Sequence, residues 1–181
     1  MTIFSKIIKG EIPSHKIAEN EKFFAFLDIF PLREGHTLVV PKTEIDNLFD
    51  LGDEYLSELL LFAKPIAKAI EKAFSCNRCG ISVIGLDVPH AHVHLIPINN
   101  ANDLNFTQHK PKAADNKLKE AQQKILKYLL NGWLVDVLIE LISLSFLQTT
   151  KVCKSFHGSE KLSQTFVVLG KMCDHQIQSI N

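Results

Sequence analysis

The period of the hydrophobic pattern changes three times along the chain, and these changes restrict the fold more than any other feature. From Ser14 to Pro31, "SHKIAENEKFFAFLDIFP" reads as two short strands around the turn-like Glu19-Asn20-Glu21. Successive strand side chains point to opposite sides, so Phe24 and Phe26 share one face and Phe23, Ala25 and Leu27 the other. "GHTLVVPK" is a third strand, opened by Gly35 and closed by Pro41. Between Asp53 and Phe74 the spacing becomes helical, with Leu56, Leu59, Leu60, Ala63, Ala67, Ile70 and Phe74 as the apolar stripe. Asp53 or Gly52 caps its start, and Pro65 is expected to kink or divide it. Alternation then returns in "GISVIG" and "AHVHLIPI", and "NKLKEAQQKILKYLLNG" is a closing helix with Asn131-Gly132 as its stop. Strands, one long helix, more strands and a last helix describe an α+β domain with an antiparallel sheet of about five strands, rather than a βαβ repeat.

This pattern occupies residues 1–130. Residues 131–181 form a C-terminal extension of different character. Its "WLVDVLIELISLSFL", residues 133–147, is an apolar run broken by Asp136 and Glu140. It is too short and too acidic at its centre for a membrane span, and reads as an amphipathic or buried helix, with contact to a membrane surface left open. From Gln148 to Asn181 the periodicity is weak, which is the pattern of a poorly ordered tail. Lys+Arg and Asp+Glu balance at 20 each, so no net field favours nucleic acid, and an anionic ligand must be held by local groups. The first ten residues lack an apolar stretch with a cleavage site, and the cysteines at 76, 79, 153 and 173 show no disulfide spacing. A cytoplasmic protein with reduced thiols is the expectation. Cys76-Asn77-Arg78-Cys79 is a lone CxxC with no second pair to complete a zinc site.

The chemistry concentrates in "PHAHVHLIP", residues 89–97, which holds three of the eight histidines within five residues. On a strand His90, His92 and His94 point one way, roughly 6.5–7 Å from one residue to the next, while Ala91, Val93 and Leu95 point toward a core. Three readings of such a run compete. The imidazoles could be satisfied surface groups. They could supply part of a metal site, although no further ligand stands at a recognisable distance. Or one neutral imidazole could attack phosphorus while its neighbours donate hydrogen bonds to the phosphate oxygens, splitting one hard step into two.

The run "HAHVHLI" resembles the His-x-His-x-His-x-x pattern of the histidine triad (HIT) family, in its nucleoside phosphoramidase-like branch. "TIFSKIIKGEIPSHKIAE", "FAFLDIFP" and "GHTLVVPK" are similar to further segments of that family, in the same order, so the resemblance covers about residues 2–98. It implies a HIT-like fold and a hydrolase or transferase that cleaves a purine nucleotide at the α-phosphate of a nucleoside phosphoramidate or dinucleoside polyphosphate, through a nucleotidyl-histidine intermediate. It places the nucleophile on His92, the flanking roles on His90 and His94, and a fourth histidine close to the nucleophile at His36. Asp28 matches the acidic residue that accepts hydrogen bonds from the ribose hydroxyls, and Ile3, Phe4, Ile7, Phe26 and Ile29 match the apolar clamp around the base. It also implies a homodimer and a covalent step that needs no metal or other cofactor.

Two departures stand beside this match. Zinc-binding relatives carry Cys-x-x-Cys near the start and a His after the Pro-Lys pair, whereas this chain has Thr2, Ser5 and Glu44 there, so no structural zinc is expected. The loop before the triad usually contains Gly-Gln followed by Ser or Thr. Here it is the shorter Gly85-Leu86-Asp87-Val88-Pro89, in which Leu86 cannot donate a hydrogen bond and an inward-facing Asp87 would repel phosphate. A lost donor of this kind costs on the order of 10²–10³ in rate. The alternative to an enzyme is therefore a nucleotide-binding protein of the same fold with weak or absent catalysis.

Overall fold

The structure is a computed structural model that describes residues 1–107 and 111–130. The stop at Asn131-Gly132, the apolar run 133–147 and the tail beyond it lie outside the described residues. Five strands, β1 (Lys16–Glu19), β2 (Phe23–Leu27), β3 (Thr37–Pro41), β4 (Arg78–Ser82) and β5 (Val93–Ile98), form one antiparallel sheet in the order β1-β2-β3-β5-β4. The expected α+β architecture is the observed one. β4 begins earlier than "GISVIG" implied and ends at Ser82.

Alternation along the strands feeds two separate cores. Ile17, Phe23, Ala25, Leu27, Val39, Val93 and Leu95 face the long helix α2 (Asp53–Ala73) and the helix over 115–130, α3. Phe24, Phe26, Leu38 and Val40 face the other way, onto Phe4 and Ile7 of the short helix α1 (Ile3–Ile8). With both faces covered, all five residues of β2 and all five of β3 are buried. α1 carries no long apolar period and did not register as a helix in the sequence. Its start is set locally by Thr2, whose hydroxyl accepts the Ser5 N–H at 3.2 Å.

α2 runs unbroken through Pro65, against the expected kink or division. Leu61, whose carbonyl loses its helical partner at a proline four residues on, is 65% exposed, so water can satisfy it. The buried stripe is Leu59, Ala63, Ile66, Ala69 and Ile70. Leu60, one residue off this stripe, is 46% exposed, and Ile66 takes the inward place. α3 is latched to β1 by Gln122, which donates to the Lys16 carbonyl at 2.7 Å, and to the β2–β3 connection by Lys124 on Glu34. Gly35 in that connection has φ +91°, and a Cβ there would overlap the Phe74 ring, so both conformation and space require glycine.

Candidate active site

The sheet face opposite α2 carries the histidines, because register places them there. His94 pairs with Leu38 of β3 and Ser82 of β4, and Leu38 pairs with Phe26 of β2. Asp28 and His36 continue that face at the ends of β2 and β3. The extended alternation inferred for the triad holds only in part: β5 starts at Val93, so His90 and His92 precede it. The His92 and His94 ring centroids are 4.8 Å apart, inside the roughly 6.5–7 Å spacing of alternate backbone positions on a strand. All four histidines of the site are buried, His36 at 1%, His90 at 0%, His92 at 6% and His94 at 7% exposure.

Each proton can be placed from its partner. The His90 carbonyl stands 2.6 Å from His92 Nδ1. A carbonyl only accepts, so Nδ1 carries the proton and His92 Nε2 carries the lone pair. A second chain starts at the Leu32 N–H, which donates to His36 Nδ1 at 3.1 Å. The proton of neutral His36 is therefore on Nε2, which donates to His94 Nδ1 at 2.9 Å. This leaves His94 with its proton on Nε2. Neither His92 Nε2 nor His94 Nε2 has a partner among the described residues. No buried side-chain nitrogen or oxygen there lacks one, so both atoms reach solvent. The result is one basic lone pair beside one N–H donor at the surface of a largely dry site.

Burial, with the nearby imidazoles adding, holds His36 and His94 neutral and pushes both pKa values down to about 3. Burial also pushes the Asp28 carboxyl up, against the Phe30 N–H that donates to its Oδ1 at 2.8 Å. Asp28 Oδ2 lies 3.5 Å from His36 Nδ1. Since that nitrogen is neutral and already accepts from Leu32, the contact is not an ion pair. Asp28, His36 and His94 offer ligand atoms within 4.8 Å of one another. Tetrahedral zinc ligands at about 2.0–2.1 Å stand roughly 3.3 Å apart. The 2.9 Å separation of the two imidazole nitrogens, with a proton between them, instead fits a hydrogen bond.

The positions of the relatives' zinc ligands also come together here, with different chemistry. Thr2 Oγ1 lies 2.8 Å from His90 Nδ1 and 3.0 Å from Ser5 Oγ, and Ser5 donates to Glu44. Two alcohols whose protons are engaged in this way do not fit zinc. Hydrogen bonds from Ser5, the N-terminus and the Thr2 N–H hold the Glu44 carboxyl down at about 2.

Of the apolar residues expected around a base, Phe4 and Phe26 are buried with ring centroids 5.6 Å apart, and Phe4 stands edge-on to His92 at 5.2 Å. Ile7 is half-buried against the same cluster, whereas Ile3 and Ile29 are 49% and 39% exposed. Leu86 is 87% exposed, and Asp87 is also exposed. Sequence reasoning missed Phe106, whose ring covers His94 at 4.9 Å and lies 6.4 Å from His36. It is aimed by a turn after β5 in which Asp103 accepts from the Asn99 and Asn100 N–H groups and from Arg33. The capping pattern of Asn100 and Asp103 was the available signal. Ser82, opposite His94, was also missed, as a plain strand residue.

A five-stranded antiparallel sheet backed by two helices, with a neutral imidazole pair and a carboxylate on its far face, defines an α+β protein built around a histidine-rich ligand site. Residues 9–101, just over half of the chain, match the HIT domain, and the chain belongs to the HIT family. It is 43% identical over 96 residues to adenosine 5'-monophosphoramidase HNT1 of Saccharomyces cerevisiae, covering 52% of this chain and 61% of the yeast protein. Over 126 residues it is 39% identical to Protein hit of Bacillus subtilis, covering 66% of this chain and 86% of that one. A crystal structure of a HIT-like protein from Bartonella henselae superposes with a TM-score of 0.62 at 32% identity, over 70% of this chain and 95% of the other.

Proposed function

We propose that this protein is a HIT-type hydrolase that cleaves a nucleoside phosphoramidate at its α-phosphate through a nucleotidyl-histidine intermediate on His92. The observation that carries this reading is the 2.6 Å contact of His92 Nδ1 with the His90 carbonyl, which leaves Nε2 as a free nucleophile. In the first step a P–N bond forms to His92 Nε2, the bond to the leaving amine breaks, and the amine departs with a proton taken from solvent. In the second, water adds to phosphorus and gives its proton back to solvent, the P–N bond to His92 breaks, and the neutral imidazole is restored. His94 Nε2–H donates to a phosphate oxygen as charge builds there, and His36 holds it in that tautomer. Asp28 accepts from the ribose hydroxyls, and the exposed Ile3 and Ile29 flank the base over Phe4, Phe26 and Ile7. The likeness to a protein named as an adenosine monophosphoramidase favours a purine nucleotide and an amine leaving group over a dinucleoside polyphosphate.

The test is turnover of adenosine 5'-phosphoramidate and of diadenosine polyphosphates, with mass spectrometry of protein quenched during the reaction. A nucleotidyl adduct on His92 is expected. No turnover of either substrate, together with an unchanged His92→Ala variant, sinks the enzyme reading. Exposed Leu86 and Asp87 favour a second reading, a nucleotide binder without efficient chemistry. That reading predicts calorimetric binding of adenosine monophosphate with no product.

Homodimerisation belongs to the same proposal. Its support is the edge of β4, unpaired among the described residues, where Ile81 is 53% exposed and Val83, just past the strand, is 42% exposed, and light scattering tests it. The domain boundary at 130 is a proposal of the same kind, and a chain ending at Leu130 that still folds and binds nucleotide supports it. A reducing, cytoplasmic setting is supported by Cys76 and Cys79, which are both free thiols.

A further inference from the structure

We propose that Thr2 is a positioning residue for the nucleophile, acting through His90. His90 is fully buried, yet it has no place for a ligand at either ring nitrogen. Its Nε2 stands 2.8 Å from the Pro41 carbonyl, which only accepts, so the proton is on Nε2 and Nδ1 carries a lone pair. The Thr2 hydroxyl, 2.8 Å away, is the donor to that lone pair. The same oxygen accepts the Ser5 N–H, which fixes where its hydrogen points. Ser5 in turn donates to Glu44. The ring of His90 is thus pinned at both ends, by the start of α1 and by the end of β3.

This matters because the His90 carbonyl is the group that holds the proton of His92 on Nδ1. The peptide between His90 and Ala91 is also held by the Ala91 N–H, which donates to the Ile45 carbonyl at 2.6 Å. Pro41 and Ile45 therefore clamp from one side what Thr2, itself held by Glu44, clamps from the other. Thr2 touches neither substrate nor His92; its hydroxyl acts on His92 through the ring and carbonyl of His90, besides capping α1, whose Phe4 packs against His92.

The kinetic arm of the test rests on the phosphoramidase reading, and the spectroscopic arm does not. In the full chain, Thr2→Val keeps the shape and removes the hydroxyl, Thr2→Ser restores it, and Ser5→Ala loosens α1 from Glu44 and removes the 3.0 Å contact of Ser5 Oγ with Thr2 Oγ1 while leaving the Thr2–His90 hydrogen bond in place. Nitrogen-15 spectra of the free proteins report the tautomers of His90 and His92. The parent and Thr2→Ser are expected to show His90 protonated on Nε2 and His92 on Nδ1, and Thr2→Val to show a mixed tautomer at His92. With adenosine 5'-phosphoramidate, Thr2→Val is expected to lower kcat about tenfold with KM little changed, as loss of a group supporting a reacting residue does, while Thr2→Ser and Ser5→Ala stay within about threefold of the parent. Spectra of Thr2→Val that match the parent overturn the inference, whether or not the protein turns over any substrate. Equal losses of kcat in Thr2→Val and Ser5→Ala overturn it as well, since they assign the effect to α1 docking.

Discussion

The two faces of the sheet are built from alternate residues of the same strands, yet they obey different rules. The face under α2 and α3 buries Ile, Leu, Val, Phe and Ala, and its one buried polar strand residue, Thr37, donates its hydroxyl to the Gly35 carbonyl at 3.0 Å. Such a core tolerates shuffling of side chains as long as volume is kept. The opposite face also buries its residues, but it buries His90 and His92 against the Phe4 ring and His36 and His94 against Phe106. Each polar atom there needs a specific partner, because an unpaired one costs about 1–3 kcal/mol. The first face therefore supplies stability and the second supplies direction to particular lone pairs and protons.

The sharpest way to break this contrast is His92→Ala. It removes the nucleophile from the polar face, and turnover of adenosine 5'-phosphoramidate should fall by about 10⁴-fold or more, with the thermal midpoint little changed. The complementary change is Ile70→Ala on the apolar face. Ile70 is fully buried, and denaturant unfolding should show a loss of about 2–5 kcal/mol, with kcat of the folded protein preserved. A large loss of kcat in Ile70→Ala at temperatures well below its transition would erase the distinction.

His36→Leu tests both properties at once. Without the Nε2–H, His94 loses the partner that fixes its tautomer, and kcat should drop about 10²-fold. The acid response should change as well. In the parent, His36 and His94 have pKa values of about 3 when folded against 6.5 when unfolded, so the unfolded chain takes up protons first. Their contribution is complete above about pH 6.5 and drains as pH falls toward 3. Asp28, whose carboxyl is raised, acts in the opposite sense and offsets part of this loss. Urea midpoints measured across that window should fall less steeply in His36→Leu than in the parent.

Gly35→Ala lies between the faces, where the loop carrying His36 meets Phe74 of the apolar core. The positive φ alone costs about 1–2 kcal/mol, and displacement of the phenyl ring adds to it, so a fall in both stability and kcat is expected. The smallest effect belongs to Leu86→Gln in the exposed pre-triad loop, which should stay within about 0.5 kcal/mol of the parent by denaturant titration. A gain of tenfold or more in kcat from this change would mark the loop as part of the phosphate site.

Much of the molecule was legible from periodicity. The division of β2 into Phe24 and Phe26 against Phe23, Ala25 and Leu27 followed from strand geometry alone, and the two cores keep it. The apolar set Ala91, Val93 and Leu95 was legible for the same reason. Short-range pattern failed where long-range packing took over. Leu60 turned outward beside buried Leu59, and Ile66 rather than its neighbour Ala67 went fully inward, because adjacent helix residues differ by about 100° in direction and only docking on the sheet selects which stripe is buried. α1 is too short for a periodic signal and exists because Phe4 packs on Phe26.

The sequence by itself determined the order of strands and helices and the gathering of His90, His92 and His94 in one segment, because these depend on residues close together along the chain. Only the tertiary structure decided the protonation pattern. The carbonyl of His90, the N–H of Leu32, the carbonyl of Pro41 and the hydroxyl of Thr2 are distant in sequence or carry no side-chain signature. A tautomer is set by whichever donor or acceptor the fold brings within about 3 Å of each ring nitrogen.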